Sequence, residues 1–310
     1  GSRLADFNPD GHPKCLMEFG GRSLLARHLD QLHRLGVRQA DLVVGFEADR
    51  IIEHVATLAS RPDVALHFNP RYEQGSVLSL WAAADTLRSG EPVLVMDADV
   101  LYHPGILQRL VQSRFENCYL LDRDFVHGDE PVKIAVRDGV MVEFRKRLAD
   151  GLEYDTLGES VGFFRFGPDC AALIADACAR YDNEGLADAP HEEALRDVLL
   201  AQPRVFGFED VSGLPWIEID FPEDVARGTT PTTRNPAVLF ENFRHPVART
   251  SDFGGEAAWT DNRFKLLVFP AGAGRPGGST ELYDLSADPG ETRNLAVASP
   301  DLVRRMTDQL

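Results

Sequence analysis

Cysteine is scarce in this sequence. The 310 residues include four cysteines, and no two of them form a C-x-x-C pair. Their spacing predicts neither a disulfide framework nor a zinc site. We therefore expect buried, reduced thiols in a cytoplasmic protein. The four are Cys15, Cys118, Cys170 and Cys178.

Long apolar runs and positive charge are also in short supply. No stretch is long enough to span a bilayer as a helix, and no signal peptide is visible, although the sequence opens at Gly1 rather than at an initiator methionine. Lys and Arg number 32 against 49 Asp and Glu, a net charge of −17, most of it within residues 1–230. So acidic a protein repels nucleic-acid backbones and anionic lipid surfaces, and we expect neither nucleic acid nor membrane insertion. An anionic substrate must instead be met by local cations and a metal ion.

Strand and helix patterns alternate along residues 1–228. Ser23 is expected to cap a helix whose leucines recur at helical spacing. The apolar run 92–96 is typical of a central parallel strand, and Asp138-Gly139 between two alternating runs predicts a hairpin. This alternation predicts an α/β domain with a doubly wound, mixed, mostly parallel sheet. The expected helices are 24–35, 48–58, 76–87, 168–181 and 191–200, with a last short helix that begins at 221–224. The expected strands are 41–46, 64–68, 92–96, 133–136, 140–144, 160–166, 204–208 and 216–220.

The end of the chain has a different pattern. A segment rich in Thr and Pro, 229–236, predicts a linker. Beyond it, 263–269 and 281–285 are expected strands on either side of a Gly-rich turn, and 299–310 is an expected amphipathic helix. We therefore expect a small α+β appendage over residues 237–310.

One group of residues near the start of the chain suits phosphate binding. Backbone N–H groups of a Gly-rich turn approach phosphates closely, and Gly1-Ser2-Arg3-Leu4 has that composition. Arg3 and Lys14 would neutralise a triphosphate. Taken alone, the same residues are more typical of a solvated loop.

Two pairs of carboxylates suggest a metal site. Asp97 and Asp99 follow an apolar strand, where open α/β sheets bind ligands, and their hard oxygens suit Mg²⁺. Glu218 and Asp220 alternate along a strand and so share one face, an arrangement that favours a nearby cation. The alternatives are a helix cap or turn for the first pair and two solvent-facing acids on an edge strand for the second.

The order of these motifs resembles the sugar-nucleotidyltransferase superfamily. Residues 69–80 and 216–220 are similar to the phosphocholine and 2-aminoethylphosphonate cytidylyltransferases, and the resemblance covers residues 1–228. It implies transfer of CMP from CTP to a small phospho- or phosphono-amine or alcohol, with Mg²⁺ as cofactor and without a covalent enzyme intermediate. In that family the chain begins with a strand at the sheet centre and an Ala-Ala-Gly-x-Gly turn, and this sequence opens inside that turn.

The resemblance also implies roles for individual residues. Arg3 would hold the β- and γ-phosphates and Lys14 the α-phosphate, while Asp99 and Asp220 would bind Mg²⁺. The remaining nucleotide-binding residues would be Gly1, Ser2, Gln74, Gly75, Ser76, Ser79 and Asp97, with Gln74 to Ser79 lining the cytosine pocket. The acceptor would be held by Lys133 at its anionic end and by Glu159, Trp216 and Glu218 at its ammonium.

The last part of the sequence resembles another family. Residues 259–266 and 281–295 are similar to the C-terminal subdomain of sulfatases. The sulfatase nucleophile motif, Cys or Ser before x-Pro-x-Arg, is absent from the sequence. We therefore expect a structural appendage without hydrolase chemistry.

Alternatives remain open at this point. A sugar-1-phosphate nucleotidyltransferase is disfavoured because the middle of the chain lacks a long insertion for a sugar, and a catalytically silent binding or scaffold protein is the alternative from another class. The acceptor is open between phosphocholine and 2-aminoethylphosphonate, with the phosphonate favoured because one tryptophan is a poor cage for a quaternary ammonium. The oligomeric state is open between a monomer and a homodimer.

Overall fold

The fold was obtained as a computed structural model. It describes residues 11–229, 238–242, 256–260, 264–269, 279–284, 288 and 292–307. The chain divides into two compact units, Gly1–Thr230 and Pro231–Leu310. Three predicted phosphate-binding residues, Gly1, Ser2 and Arg3, lie outside the described residues, as do most of the predicted linker and the Gly-rich turn.

The first unit alternates helices and strands. Its helices are α1 (Leu24–Arg34), α2 (Ala48–Thr57), α3 (Ser76–Ala82), α4 (Ala84–Leu87), α5 (Pro104–Val111), α6 (Pro168–Asn183), α7 (His191–Ala201) and α8 (Pro222–Thr229). Its strands are β1 (Glu18–Phe19), β2 (Arg22–Ser23), β3 (Gln39–Val44), β4 (Asp63–Phe68), β5 (Val93–Met96), β6 (Val100–Tyr102), β7 (Asn117–Asp122), β8 (Lys133–Arg137), β9 (Val140–Arg145), β10 (Thr156–Phe166), β11 (Phe206–Asp210) and β12 (Trp216–Glu218). Short 3₁₀ turns cover Lys14–Leu16 and Pro203–Val205.

Helix α1 begins where the sequence predicts. The Ser23 hydroxyl accepts the Ala26 backbone N–H at 3.0 Å and so satisfies one of the free donors at the helix start. Leu25 and Leu29 are buried on its inner face, where Cys15 and Leu16 of the first 3₁₀ turn pack against them. This packing fixes the turn that carries Lys14.

The main sheet is mixed, which confirms the predicted fold class. Its strand order is β11-β7-β10-β8-β9, and β5 also pairs with β10. Strands β5, β7, β8 and β11 run in one direction, and β9 and β10 run in the other. The predicted mostly parallel character is wrong for this sheet, because the long β10 runs opposite to its neighbours β5, β7 and β8 and most of the pairs are therefore antiparallel.

Helices cover both faces of this sheet. Successive side chains of a strand point to opposite faces. Tyr119 and Leu121 of β7 therefore enter the core with α6 and α7, while Cys118 and Leu120 enter the core with α5. Alternate residues of β10 divide in the same way, and the result is a layer of strands between two layers of helices.

A cavity separates the main sheet from the parallel pair formed by β3 and β4. Its volume is about 790 Å³, and its lining includes residues 39–42 of β3 and Val93, Leu94 and Met96 of β5. Neighbouring residues of a strand face opposite ways, so a cavity that touches successive residues lies along the strand's edge. The strand that the family resemblance expects at the sheet centre stays a prediction.

A short antiparallel ladder joins β6 to β12. It pairs Glu218 with Val100 and Trp216 with Tyr102. The Ile219 N–H continues the ladder by donating to the Asp99 carbonyl at 3.0 Å. This ladder brings the two acidic motifs of the sequence together.

The predicted hairpin is confirmed, and several predicted elements differ in their bounds: the expected strand 41–46 is Gln39–Val44, and the expected strand 160–166 begins at Thr156. Asp138 and Gly139 have φ values of 52° and 75° between β8 and β9, as a tight hairpin turn requires. The expected helix 76–87 is divided at Ala83 into α3 and α4. The expected strand 204–208 begins later, at Phe206, because Pro203 opens a 3₁₀ turn.

The second unit contains an antiparallel sheet of order β13-β14-β15-β16. Its elements are β13 (Val238–Asn242), β14 (Glu256–Thr260), β15 (Phe264–Phe269), β16 (Ser279–Asp284) and α9 (Pro300–Thr307). Leu266, Leu282 and Met306 form its buried centre. The sequence predicted β15, β16 and α9 but not the first two strands. Among the described residues, no helix is long and apolar enough to cross a membrane.

Candidate active site

Three carboxylates converge beyond the ends of β5 and β12. Asp99, Glu218 and Asp220 each place one carboxylate oxygen within 4.8 Å of the others. The β6–β12 ladder creates this arrangement, because Glu218 lies opposite Val100, the residue after Asp99. Three hard oxygen donors fit a divalent cation such as Mg²⁺, which binds through one or two carboxylates together with substrate phosphates.

Lys14 lies within this carboxylate cluster. Its ammonium is 3.2 Å from Asp99 Oδ2 and also donates a short hydrogen bond to Asp220 Oδ1. Burial opposes the charge on Lys14, but the two carboxylates outweigh that effect and raise its pKa. The first 3₁₀ turn, the start of β6 and the end of β12 therefore meet at one point.

The negative charge of the third carboxylate, Glu218, is unfavourable at this position. Desolvation by neighbouring side chains, together with the negative charges of Asp99 and Asp220, raises the pKa of Glu218, although its side chain remains in contact with solvent. A cation bound at the cluster would relieve this repulsion.

Asp97 directly follows the last residue of β5 and lies against β10. Its N–H donates to the Gly162 carbonyl at 3.1 Å. Gly162 has a φ of 77°, and a Cβ there would collide with the Asp97 carboxylate. Loss of hydration is the main cause that raises the pKa of Asp97; His191 opposes the shift and Asp99 adds to it.

The predicted nucleotide-binding segment, Gln74 to Ser79, includes the start of α3. The Gly75 N–H donates to the Ala187 carbonyl at 2.9 Å, and a Cβ on Gly75 would collide with the Ala189 backbone. The Gln74 side chain accepts from Arg71 Nε at 2.7 Å. Asn69 Nδ2 donates to Ser79 Oγ at 3.1 Å. The segment is therefore held closely against the chain that leads into α7.

Three predicted acceptor residues lie around the end of β7. Glu159 is opposite Asp122 on one neighbouring strand and opposite Lys133 on the other. Desolvation and the charge of Asp122 raise the pKa of Glu159 to about 7, against the opposing effect of Lys133. Trp216 donates its indole N–H to Asp122 Oδ2 at 2.7 Å. The tryptophan and two acids thus form one polar group, although Trp216 also packs against the core beneath α5.

Lys133 is engaged by backbone oxygens. Its ammonium donates to the carbonyls of Gly128 at 2.7 Å, Pro131 at 3.3 Å and Lys146 at 2.6 Å. A lysine ammonium has three N–H donors. Binding an anion here would require Lys133 to exchange at least one of these bonds.

The structure adds two residues that the sequence reasoning did not select. Asp122 is 6% exposed and ends an apolar run, as Asp97 does, so the same signal was present. His191 is 8% exposed, and Ser76 Oγ is 3.1 Å from its Nδ1 while Asp97 Oδ1 is 3.8 Å from its Nε2. No sequence pattern marks His191, since it is a lone histidine at the start of a helix.

Comparison with a protein-family model identifies the fold of this site. Residues 1–156 match the MobA-like NTP transferase domain. The inositol-1-phosphate CTP transferase from T. maritima is similar in structure, with a TM-score of 0.59 and 20% sequence identity over 74% of this chain and 90% of that one. This likeness confirms the nucleotidyltransferase fold.

Two curated relatives are similar in sequence. A "Bifunctional IPC transferase and DIPP synthase" of Aquifex aeolicus is 26% identical over 219 residues, which are 69% of this chain and 46% of the relative. A "CMP-5'-(3-aminopropyl)phosphonate synthase" of Streptomyces rubellomurinus is 25% identical over 228 residues, which are 72% of this chain and 36% of the relative. The chain thus spans about half or less of the length of these relatives.

Proposed function

Because the chain belongs to the family of MobA-like NTP transferase domains, we propose that this nucleotidyltransferase moves CMP from CTP to a small phosphate or phosphonate monoester and releases pyrophosphate. The observation that carries the proposal is the cluster of Lys14 with Asp99, Glu218 and Asp220. In this cluster the Lys14 ammonium lies beside hard oxygen donors at the carboxyl ends of strands. Phosphoryl transfer needs such an arrangement of positive charge and oxygen donors.

The chain's own residues position the reactants and neutralise charge. Lys14 turns from the carboxylates to the α-phosphate, where it offsets negative charge that grows as the acceptor oxygen attacks. No described side chain need form a covalent bond to the nucleotide. When bound by Asp99 and Asp220, Mg²⁺ supplies further neutralisation of phosphate oxygens.

The choice of CTP is supported by two observations. The relatives named above include a CMP-phosphonate synthase, and the similar structure is a CTP transferase. Within this chain, the tightly held segment from Gln74 to Ser79 presents amide and hydroxyl groups suited to the hydrogen-bonding edge of a base.

The acceptor is expected to carry a primary ammonium. Glu159 and Asp122 lie directly opposite each other on neighbouring strands, and two like charges in that position repel. A primary ammonium brings three N–H donors that satisfy carboxylates, whereas a trimethylammonium brings none and prefers several aromatic faces. The site offers one indole, whose N–H already binds Asp122. We therefore favour a compound like 2-aminoethylphosphonate over phosphocholine.

A pyrophosphate-release assay tests the proposal. Each of CTP, UTP, ATP and GTP is combined with 2-aminoethylphosphonate, phosphocholine, inositol 1-phosphate and glucose 1-phosphate, and Asp99→Asn provides a control with an altered cluster. We expect release only with CTP and with the wild-type protein. Preference for UTP with glucose 1-phosphate would instead support a sugar nucleotidyltransferase, and no release with any pair would support a silent binding protein.

The acceptor preference has its own test. We expect kcat/KM for 2-aminoethylphosphonate to exceed that for phosphocholine by about tenfold, the effect of one charge-assisted hydrogen bond. Glu159→Gln should reduce this preference without altering the KM for CTP. Arg137→Gln, at the exposed end of the adjacent strand β8, is the matched control. A wild-type preference for phosphocholine would overturn the assignment.

A further inference from the structure

One buried histidine joins two parts of the site and has no role in the proposed reaction. His191 is the first residue of α7, and only 8% of it is exposed. Its ring packs edge-on against Phe164 of β10, with centroids 6.3 Å apart. It lies between the segment that holds Ser76 and the end of strand β5.

The backbone and the ring of His191 both bind Ser76. The His191 N–H donates to Ser76 Oγ at 2.8 Å, and the same oxygen is 3.1 Å from Nδ1. Glu192 Oε2 approaches Nδ1 as well, at 3.2 Å. The Nδ1 side of the imidazole therefore contacts Ser76, and a shift of Ser76 would disturb that contact.

The opposite side of the ring faces Asp97. Nε2 is 3.8 Å from Asp97 Oδ1, and among the described residues it has no hydrogen-bond partner. That gap is too wide for a hydrogen bond and too narrow to hold a bridging water. A buried ring nitrogen without a partner is costly, so a small closure that makes this bond would be favourable.

We propose that His191 is a positioning residue that sets the distance between the Ser76 segment and the strand end that carries Asp97 and Asp99. Because this rests on the proposed function, the ligand concerned is CTP: the Ser76 segment would contact its base, and Asp99 lies at the carboxylate cluster. His191 touches neither the base nor the phosphates. It acts by keeping the two contact regions in register, and the Nε2–Asp97 bond closes when the nucleotide occupies both.

Three variants separate the two sides of the ring. His191→Phe keeps the packing against Phe164 and removes both nitrogens. His191→Asn places an amide near the Nδ1 position and keeps the link to Ser76, whereas His191→Gln reaches the Nε2 position. His67→Phe is the matched control, since His67 forms a comparable contact with Asp41 at 2.7 Å outside the site.

The experiment measures the Kd for CTP by calorimetry, the KM and kcat by pyrophosphate release, and the unfolding temperature. We expect His191→Phe to raise Kd and KM for CTP by about tenfold, the effect of one buried hydrogen bond, and to lower the preference for CTP over UTP. His191→Gln, whose amide can donate to Asp97, should restore most of the Kd, whereas His191→Asn, which keeps only the contact with Ser76, should restore little of it. In a double variant with Ser76→Ala, His191→Phe should raise the Kd for CTP by a smaller factor than it does alone, because both changes act through the same contact.

Two results bear on the inference in different ways. If the wild-type protein does not bind CTP, the proposed function fails and the inference fails with it. If the wild-type protein binds CTP and His191→Phe lowers only the unfolding temperature, as His67→Phe does, His191 is a packing residue and the inference alone is overturned.

Discussion

Lys14 lies where a metal ion is expected to bind. Its ammonium contacts Asp99 and Asp220, whose carboxylates are the expected Mg²⁺ ligands. An ammonium and a divalent cation cannot both hold the same oxygens at close range. The proposed reaction therefore requires two positions of Lys14, the one against the acids that the structure shows and another toward the nucleotide.

Replacement of Lys14 should affect metal binding and turnover in opposite directions. In Lys14→Met the carboxylates lose a competing cation, so we expect Mg²⁺ to bind about threefold more tightly, as for the loss of one partly exposed ion pair. The kcat should fall steeply, because the α-phosphate loses its cation. Calorimetry with Mg²⁺ and pyrophosphate release measure the two effects.

Lys146→Met is the control for this experiment. Lys146 is an exposed lysine whose ion pair with Glu130 is 3.4 Å long, outside the carboxylate cluster. It should leave both quantities unchanged. Weaker Mg²⁺ binding in Lys14→Met would show that the ammonium supports the metal site rather than competing for it.

At the residue scale, acids that follow strands can be recognised in the sequence more readily than the residues that contact them in the folded protein. Asp99 was found because it follows an apolar run and Asp220 because it alternates with Glu218 along a strand, and the structure places them together. Asp122 has the same signal, with a second acid, Asp124, two residues further on, yet the sequence reasoning did not select it. His191 was not predictable, because its contacts with Ser76 and Asp97 span long distances along the chain.

At the scale of elements, most strand positions of the first unit and the β8–β9 hairpin were predictable, and the other strand partners were not. Hydrophobic runs located β3, β4, β5 and β10 to within a few residues. Nothing local indicated that Val100–Tyr102 forms a strand at all, yet its pairing with β12 creates the carboxylate cluster. Pairing is decided by side chains and backbone groups far apart in the sequence, which a local pattern does not contain.

Strand β10 depends on a glycine at its irregular centre. The register of β10 against β7 shifts between Ser160 and Phe164, and Gly162 lies there with a φ of 77°. Gly162→Ala would add both backbone strain and a collision with Asp97. We expect a loss of about 1 kcal/mol for the strain and a further loss for the collision, measured by chemical denaturation.

Gly185→Ala separates these two contributions. Gly185 has a φ of 75°, and a Cβ there would meet nothing within 4 Å. Gly185→Ala should therefore lose only the part of the unfolding free energy that is due to backbone strain. Equal losses at the two positions would mean that Asp97 moves aside freely, and that it is not held in place by β10.

Helix α1 is joined to β6 and β10 by a buried histidine. His28 packs against Tyr102 and Phe163, with ring centroids 5.1 and 5.8 Å away. Burial lowers the pKa of His28 to about 4, although a hydrogen bond with the Val100 backbone opposes the shift. The ring is therefore neutral in the folded protein at pH values where it is charged in the unfolded chain.

The free energy of unfolding should consequently fall on acidification. Because the folded pKa lies below the unfolded value of about 6.5, the unfolded chain gains the proton first, and stability is lost between about pH 6.5 and pH 4. The full effect of this group is about 3 kcal/mol. His28→Phe keeps the ring packing and should flatten the pH dependence in this window, as denaturation at several pH values would show. An unchanged pH profile in His28→Phe would mean that other groups control acid stability.

At the scale of the whole molecule, each unit has a hydrophobic core of its own. Residues of the first unit form the clusters around the main sheet and α1, while Leu266, Leu282 and Met306 form the centre of the second. The carboxylate cluster and its supporting strands all belong to the first unit. The sulfatase-like character of the second unit stays a prediction from the sequence.

This division leads to a prediction about truncation. A chain that ends after Thr230 retains α8, whose Asp224 carboxylate accepts the N–H groups of Asp220 at 3.1 Å and Phe221 at 2.8 Å and so fixes the segment after β12 that carries Asp220. We expect it to keep its kcat for pyrophosphate release, since every described group of the site remains. A chain that ends after Phe221 loses Asp224, and its kcat should fall even where circular dichroism shows a folded protein. If the chain that ends after Thr230 is folded and yet loses kcat, the second unit is needed to complete the site, because α8 alone is then not sufficient to preserve activity.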